Sequence, residues 1–189
     1  APNKINMGVT SLIGGEGGTP VPAAEIRSYF HELETKGISV NFGTYYSATQ
    51  ARIAVLGDSN IDPTPEQLSE MKALIDEAMQ AGVMGLTTAL IYPPGAYHKT
   101  ENLIELSKVA AEYDGLYASH IRGESAELLT SVAEAIEIGE KSGAGVEIFH
   151  LKAAYYPNWG KDMPAALKMI ADARARGVNV AADIYPYVA

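Results

Sequence analysis

The feature that most constrains this fold is a repeated unit in which a short β-rich run precedes a loop and an amphipathic helix. Such runs lie at residues 8–13, 38–42, 83–88, 116–120, 145–150 and 178–183. Strands that alternate with helices pair in parallel through right-handed crossovers. The repeat therefore predicts an α/β chain with a parallel sheet, either a (β/α)8 barrel or a doubly wound sheet.

Helix signals separate these runs. Apolar residues recur at helical spacing over residues 22–36, 64–81, 100–113, 125–142 and 164–176. Thr64 and Thr100 are typical N-caps, and Gly37, Gly82 and Gly177 are typical C-terminal stops. Residues 43–65 carry no clear period and are predicted to form a long loop.

Composition limits the classes of protein to which the chain can belong. Its 189 residues are 47% hydrophobic and carry a net charge of −9. This length predicts one domain over residues 1–189, and the acidity disfavours nucleic-acid binding. No apolar run reaches the length that predicts a membrane span. Cytoplasmic and periplasmic locations both remain open.

The chain contains no cysteine. Disulfides and thiolate metal sites are therefore excluded, and any metal must bind to histidine, carboxylate or a modified lysine. The turn at residues 14–18, Gly-Gly-Glu-Gly-Gly, lacks both the dinucleotide fingerprint and a Lys-Ser/Thr pair. Nucleotide binding is accordingly disfavoured.

Polar residues follow successive strands where each strand ends: Glu16, His120, His150 and Asp183. The carboxyl ends of barrel strands carry the active site. His120 and His150 each end a strand, with one helix between them, so their imidazoles are expected to converge on one metal ion. Ordinary local hydrogen bonding is the alternative for either histidine. His31 and His98 are expected to have surface or structural roles.

Several motifs resemble those of the N-acyl-D-amino-acid deacylases (D-aminoacylases) of the amidohydrolase superfamily. They are IYPPGAY at 91–97, SHIRGE at 119–124, HLKAA at 150–154 with NWGK at 158–161, and ADIYPY at 182–187. The resemblance implies a metal-dependent hydrolase with a (β/α)8 barrel. The six strands would be strands two to seven of that barrel, which is incomplete here.

The resemblance also implies site residues. His120 and His150 would be metal ligands, and Glu16 occupies the turn in which the family often has a cysteine ligand. The expected cofactor is zinc in one tight site, with a second site weak or empty because the chain lacks the family's His-x-His. Lys152 and Tyr185 would hold the substrate carboxylate, and Tyr92 would line the pocket. The family's general-base aspartate is expected beyond Ala189, so no catalytic residue is assigned within the chain.

The implied reaction is hydrolysis of the amide bond of an N-acyl-D-amino acid, a small-molecule substrate, by a complete enzyme. A cyclic-amide hydrolase of the dihydroorotase or hydantoinase type is one alternative. A non-catalytic metal-binding barrel fragment is another, and the isolated chain is expected to be inactive. Flanking segments or self-association are expected to cover the open barrel edges.

Three further expectations concern residues near the site. Arg122 and Glu124 are interpreted as a structural ion pair. Trp159 is interpreted either as a lid residue or as packing. Carbamylation of Lys152 is the less favoured role for that lysine, because Glu16 already supplies an anionic ligand.

Overall fold

The computed structural model describes residues 2–187 and contains two parallel sheets that continue into each other. The first pairs β1 (Ser11–Gly14) with β2 (Asn41–Thr44). The second runs in chain order through β3 (Tyr46–Ser47), β4 (Gly85–Ala89), β5 (Leu116–His120), β6 (Gly145–Ile148) and β7 (Val180–Ala182). Tyr45 alone separates β2 from β3, so one bent segment joins the sheets.

The strand order decides between the two predicted architectures. A doubly wound sheet reverses its strand order at a switch point, whereas a barrel adds each new strand on the same side. Strands β3 to β7 follow one another without reversal, and every pairing is parallel. The chain is an incomplete (β/α)8 barrel, with β1 and β7 as the edge strands of its described part.

The helices occupy α1 (Pro2–Asn6), α2 (Ile26–Lys36), α3 (Ala48–Leu56), α4 (Pro65–Ala81), α5 (Thr100–Ala111), α6 (Leu128–Ser142) and α7 (Asp162–Ala175). The predicted boundaries of α4 are confirmed. The Thr64 hydroxyl accepts a hydrogen bond from the backbone N–H of Gln67, and Gly82 ends the helix in the left-handed conformation. None of the helices within residues 2–187 is long and apolar enough to cross a membrane.

The prediction of a loop at residues 43–65 is wrong, because this stretch contains β3 and α3. Ser47 and Gln50 form a capping box that starts α3. Ala48, Ala51 and Leu56 are buried, and so is the polar residue Arg52. Since apolar and polar residues are buried together, the helix lacks the one-sided apolar stripe from which sequence reasoning recognises a helix.

Other helix starts also differ from expectation. The helix predicted from residue 125 begins at Leu128. Thr100 is the first helical residue rather than the cap, and its hydroxyl donates to Glu134 Oε1 at 2.8 Å. The last helix begins two residues before Pro164, since a proline is tolerated in the first turn, where its missing N–H is not needed.

His98 has the structural role expected of it, in the interior rather than at the surface. It lies after β4 and is 3% exposed. Its carbonyl accepts a hydrogen bond from Arg122 Nη2 at 2.9 Å. Burial, together with the positive charge of Arg52, lowers the pKa of His98 to about 4.

This buried histidine makes stability depend on pH. Its folded-state pKa lies below its unfolded value, so the unfolded chain binds the extra proton and stability is lost as pH falls from about 6.5 towards 4. Between pH 7 and pH 5 we expect the free energy of unfolding to fall by on the order of 2 kcal/mol more in the wild type than in His98→Gln. Urea titrations at both pH values measure this difference. His31→Gln, on the exposed face of α2, is the control, and an unchanged pH dependence in His98→Gln would contradict the prediction.

Candidate metal centre

Glu16, His120 and His150 meet at the carboxyl ends of the strands. Glu16 Oε1 lies 3.0 Å from His120 Nδ1 and 3.2 Å from His150 Nε2. The two imidazole rings are 4.5 Å apart between centroids and nearly perpendicular. The structure thus brings together all three residues that the sequence predicts as ligands.

The glycine-rich turn after β1 places Glu16. Gly15 has a φ of +90°, and a Cβ there would lie 2.3 Å from Thr44 Oγ1, so only glycine fits this position without strain. Thr87 on β4 donates to the carbonyl of Glu16 at 3.0 Å. Gln50 on α3 accepts a hydrogen bond from the backbone N–H of Thr19 and donates to its carbonyl. The unpredicted helix α3 therefore clamps the turn that carries the carboxylate.

The two histidines are presented differently. His120 is the last residue of β5 and is 7% exposed. His150 lies two residues past the end of β6, with a φ of +40° that few non-glycine residues adopt. Asp183, just after β7, accepts a hydrogen bond from the backbone N–H of His150 at 2.5 Å. Asp183 thus stabilises the unusual backbone that turns His150 towards Glu16.

These donor atoms fit one divalent transition ion. One ligand atom from each residue lies within 4.8 Å of the others. Bonds of about 2.1 Å to a tetrahedral ion would separate adjacent ligand atoms by roughly 3.4 Å, close to the distances between Glu16 and either histidine. Two imidazoles and one carboxylate also form a ligand set used by catalytic zinc sites, which leaves a fourth position open.

The charge of Glu16 matches such a site. Burial by itself would raise the pKa of Glu16, but hydrogen bonds from His150 and His120 outweigh burial and leave the pKa below its ordinary value. The carboxylate is therefore ionised at neutral pH and available to a cation.

The predicted substrate-binding residues surround this centre. The Tyr92 ring lies 5.5 Å from that of His120, and the Tyr185 ring lies 6.4 Å from that of His150. Lys152 Nζ is 5.5 Å from the centre of the Tyr185 ring. A cavity of about 420 Å³ opens beside Tyr185, and its lining includes Glu16, His150, Asp183 and the apolar residues Ile13, Phe149 and Ile184, but neither Tyr92 nor Lys152. Trp159 is 61% exposed and packs edge-on against Tyr156.

The interpretation of Arg122 and Glu124 as an ion pair is wrong. Arg122 pairs instead with Glu134, through Nε at 2.9 Å and Nη2 at 2.8 Å, and donates to the carbonyls of Ala96 and His98. The Glu134 side chain on α6 is only 12% exposed, so its carboxylate is held in place. Its two oxygens accept one hydrogen bond each from the Arg122 guanidinium.

Glu124 instead contacts a residue of the candidate metal centre. It pairs with Lys152 Nζ at 2.5 Å, and its Oε1 lies 2.9 Å from His150 Nδ1. Sequence reasoning missed this contact because Arg122 is the nearer cation along the chain. The available signal was that Glu124 follows β5 just as Lys152 follows the neighbouring strand β6.

Comparison with known proteins shows which enzymes this chain resembles. The chain is 31% identical to the N-acyl-D-glutamate deacylase of Alcaligenes xylosoxydans xylosoxydans over 97% of its length, and 30% identical to the D-aminoacylase of that organism over 98%. The resemblance to the N-acyl-D-amino-acid deacylases is confirmed. The chain spans 42% of the length of each of these relatives. No model of a protein family matches the sequence.

Solved structures of deacylases agree with this relationship. The N-acyl-D-glutamate deacylase of Bordetella bronchiseptica, solved with zinc and a phosphonate mimic of the tetrahedral intermediate, superposes with a TM-score of 0.88 at 31% identity. The match covers 97% of this chain and 43% of that one. An L-hydantoinase from Arthrobacter aurescens, at 15% identity and a TM-score of 0.59, shares the fold alone.

Metal analysis tests this candidate centre directly. We expect the purified chain, supplied with zinc, to hold about one ion, because three converging ligands suffice for one catalytic-type site. Both His120→Ala and His150→Ala should lose it. Elemental analysis after dialysis, with circular dichroism to confirm folding, measures this. His31→Ala is the control, and unchanged zinc in either variant would remove that histidine from the ligand set.

Proposed function

We propose that the complete protein hydrolyses the amide bond of N-acyl-D-amino acids with the help of a zinc ion. The observation that carries this proposal is the convergence of Glu16, His120 and His150 at the carboxyl ends of parallel strands. The curated relatives that match over nearly the whole chain are deacylases of this class. Since the chain spans less than half of their length, the activity is proposed for the protein as a whole.

The assigned ligands determine what chemistry the site supports. A zinc ion bound there would act as a Lewis acid that polarises the amide carbonyl and makes water a stronger nucleophile. Glu16, His120 and His150 would hold it and leave one position open. No general base is assigned among residues 2–187.

Substrate binding is assigned to the residues that surround the ligands. The Lys152 ammonium and the Tyr185 hydroxyl are proposed to bind the substrate carboxylate, since charge-assisted hydrogen bonds suit that group. Tyr92, beside His120, would line the pocket. The distance between the Lys152 ammonium and the Tyr185 ring is short enough for one carboxylate to contact both residues.

Sequence identity favours a deacylase over a cyclic-amide hydrolase. The deacylase structures match at 27–31% identity with TM-scores of 0.86–0.88, whereas the hydantoinase structures match at 15–17% with TM-scores of 0.56–0.59. The weaker likeness reflects a common fold and does not argue for ring opening.

A substrate panel tests the reaction. A version of the protein extended to the length of its relatives should release amino acid from N-acyl-D-amino acids and leave the L-enantiomers and cyclic imides intact. The 189-residue chain assayed alone should be inactive, because no general base is assigned within it. Turnover of cyclic imides without N-acyl-D-amino acids would overturn the proposal, and turnover by the chain alone would overturn the assignment of the base.

A tyrosine pair tests the carboxylate site. Tyr185 and Tyr187 stack with ring centroids 4.9 Å apart, so either can lose its hydroxyl with little change in packing. In the extended protein Tyr185→Phe should raise KM about tenfold or more, the effect of losing one hydrogen bond to a charged group. Tyr187→Phe is the matched control and should leave KM unchanged. Equal effects of the two substitutions on steady-state kinetics would contradict the assignment.

A further inference from the structure

Glu124 and Lys152 both contact Nδ1 of His150, but they require opposite roles of that nitrogen. The carboxylate can only accept a hydrogen bond, and the ammonium can only donate one. Glu124 Oε1 and Lys152 Nζ lie 2.9 Å and 3.0 Å from His150 Nδ1. A neutral imidazole carries one N–H and one bare nitrogen. Nδ1 can therefore either donate to the carboxylate or accept from the ammonium, and each choice fixes the state of Nε2.

Only one of these choices suits a metal. His150 Nε2 is the nitrogen that faces Glu16, at 3.2 Å. If Nδ1 accepts from Lys152, Nε2 keeps its proton and can only donate to Glu16. If Nδ1 donates to Glu124, Nε2 presents its lone pair to the ligand centre. In this structure the ammonium forms the hydrogen bond and the carboxylate is in ion-pair contact.

We propose that Glu124 is a positioning residue, which sets His150 in the tautomer that binds metal and competes with Lys152 for Nδ1. The inference rests on the proposed metal site. Carboxylates that orient ligand histidines in this way are common behind zinc.

The surroundings of Glu124 support this role. Its side chain is 12% exposed. The backbone N–H of Ala154 donates to the Glu124 carbonyl at 2.9 Å, which ties the segment after β5 to the segment after β6. This backbone contact holds in place the segment from which the Glu124 carboxylate reaches His150 Nδ1. Its ion pair with Lys152 leaves it beside His150.

Zinc affinity of the whole chain gives the first test. Glu124→Gln should weaken zinc binding about 10- to 100-fold, the usual cost of losing an outer carboxylate. The matched control is Glu127→Gln, an exposed residue of the same loop, and it should change affinity less than about twofold. Equal affinities in Glu124→Gln and the wild type would overturn the proposal.

The tautomer itself gives a second test, which needs no metal. ¹⁵N NMR of the His150 ring in zinc-free chain, at a pH where histidine is neutral, reports which nitrogen carries the proton. Lys152→Met should shift the population towards Nδ1–H, and Glu124→Gln should shift it towards Nε2–H. A purely electrostatic role for Glu124 would move zinc affinity but leave both populations unchanged, and that result would overturn the inference. If the wild type binds no zinc while the tautomers shift as expected, the metal-site proposal fails and the positioning role stands.

Discussion

The spacing of hydrogen-bonded parallel strands, about 4.8 Å, sets the separation of the two imidazoles on which the centre depends. β5 and β6 pair in register, and His120 and His150 follow from their carboxyl ends. Tyr92 lies beside His120, and Phe149 lies beside His150. A carboxylate brought to the same point completes a ligand set. The turn after β1, with the contacts that hold it, positions this third group, the carboxylate of Glu16.

The position of Glu16 depends on parts of the chain that are far from it in sequence. Its turn is anchored by Thr87 on β4 and by Gln50 on α3. Gln50 also caps α3, so one side chain both starts a helix and secures the turn. Loss of this residue would disturb both at once. The centre is therefore coupled to the stability of a helix that contributes no ligand.

Sequence reasoning reached the parallel α/β units and the two histidines from local patterns, and it reached the barrel and the role of Glu16 through the family resemblance. It missed α3, whose buried Arg52 breaks the apolar stripe, and it paired Arg122 with the wrong glutamate. Both errors concern partners that only the tertiary fold defines. Arg122 and Glu124 are two residues apart, yet their side chains contact different parts of the structure. Arg122 donates to the loop after β4, whereas Glu124 contacts His150. The matching positions of Glu124 after β5 and Lys152 after β6 are the one sequence signal of that division.

This division of charges bears on how the proposed site would admit an anionic substrate. Arg122 commits its donors to Glu134 and to two carbonyls, so it has little capacity for a further ligand. Lys152 is a point charge with rotatable donors, and its contact with the His150 carbonyl, at 3.3 Å, is its longest. It can exchange that contact for a substrate carboxylate and keep Glu124. A divalent ion beside Glu16 would leave one net positive charge, Lys152 with Glu124 adds none, and the carboxylate of Asp183 in the same cavity would offset it. The contact with Lys152, rather than a net positive charge, would therefore hold the substrate carboxylate.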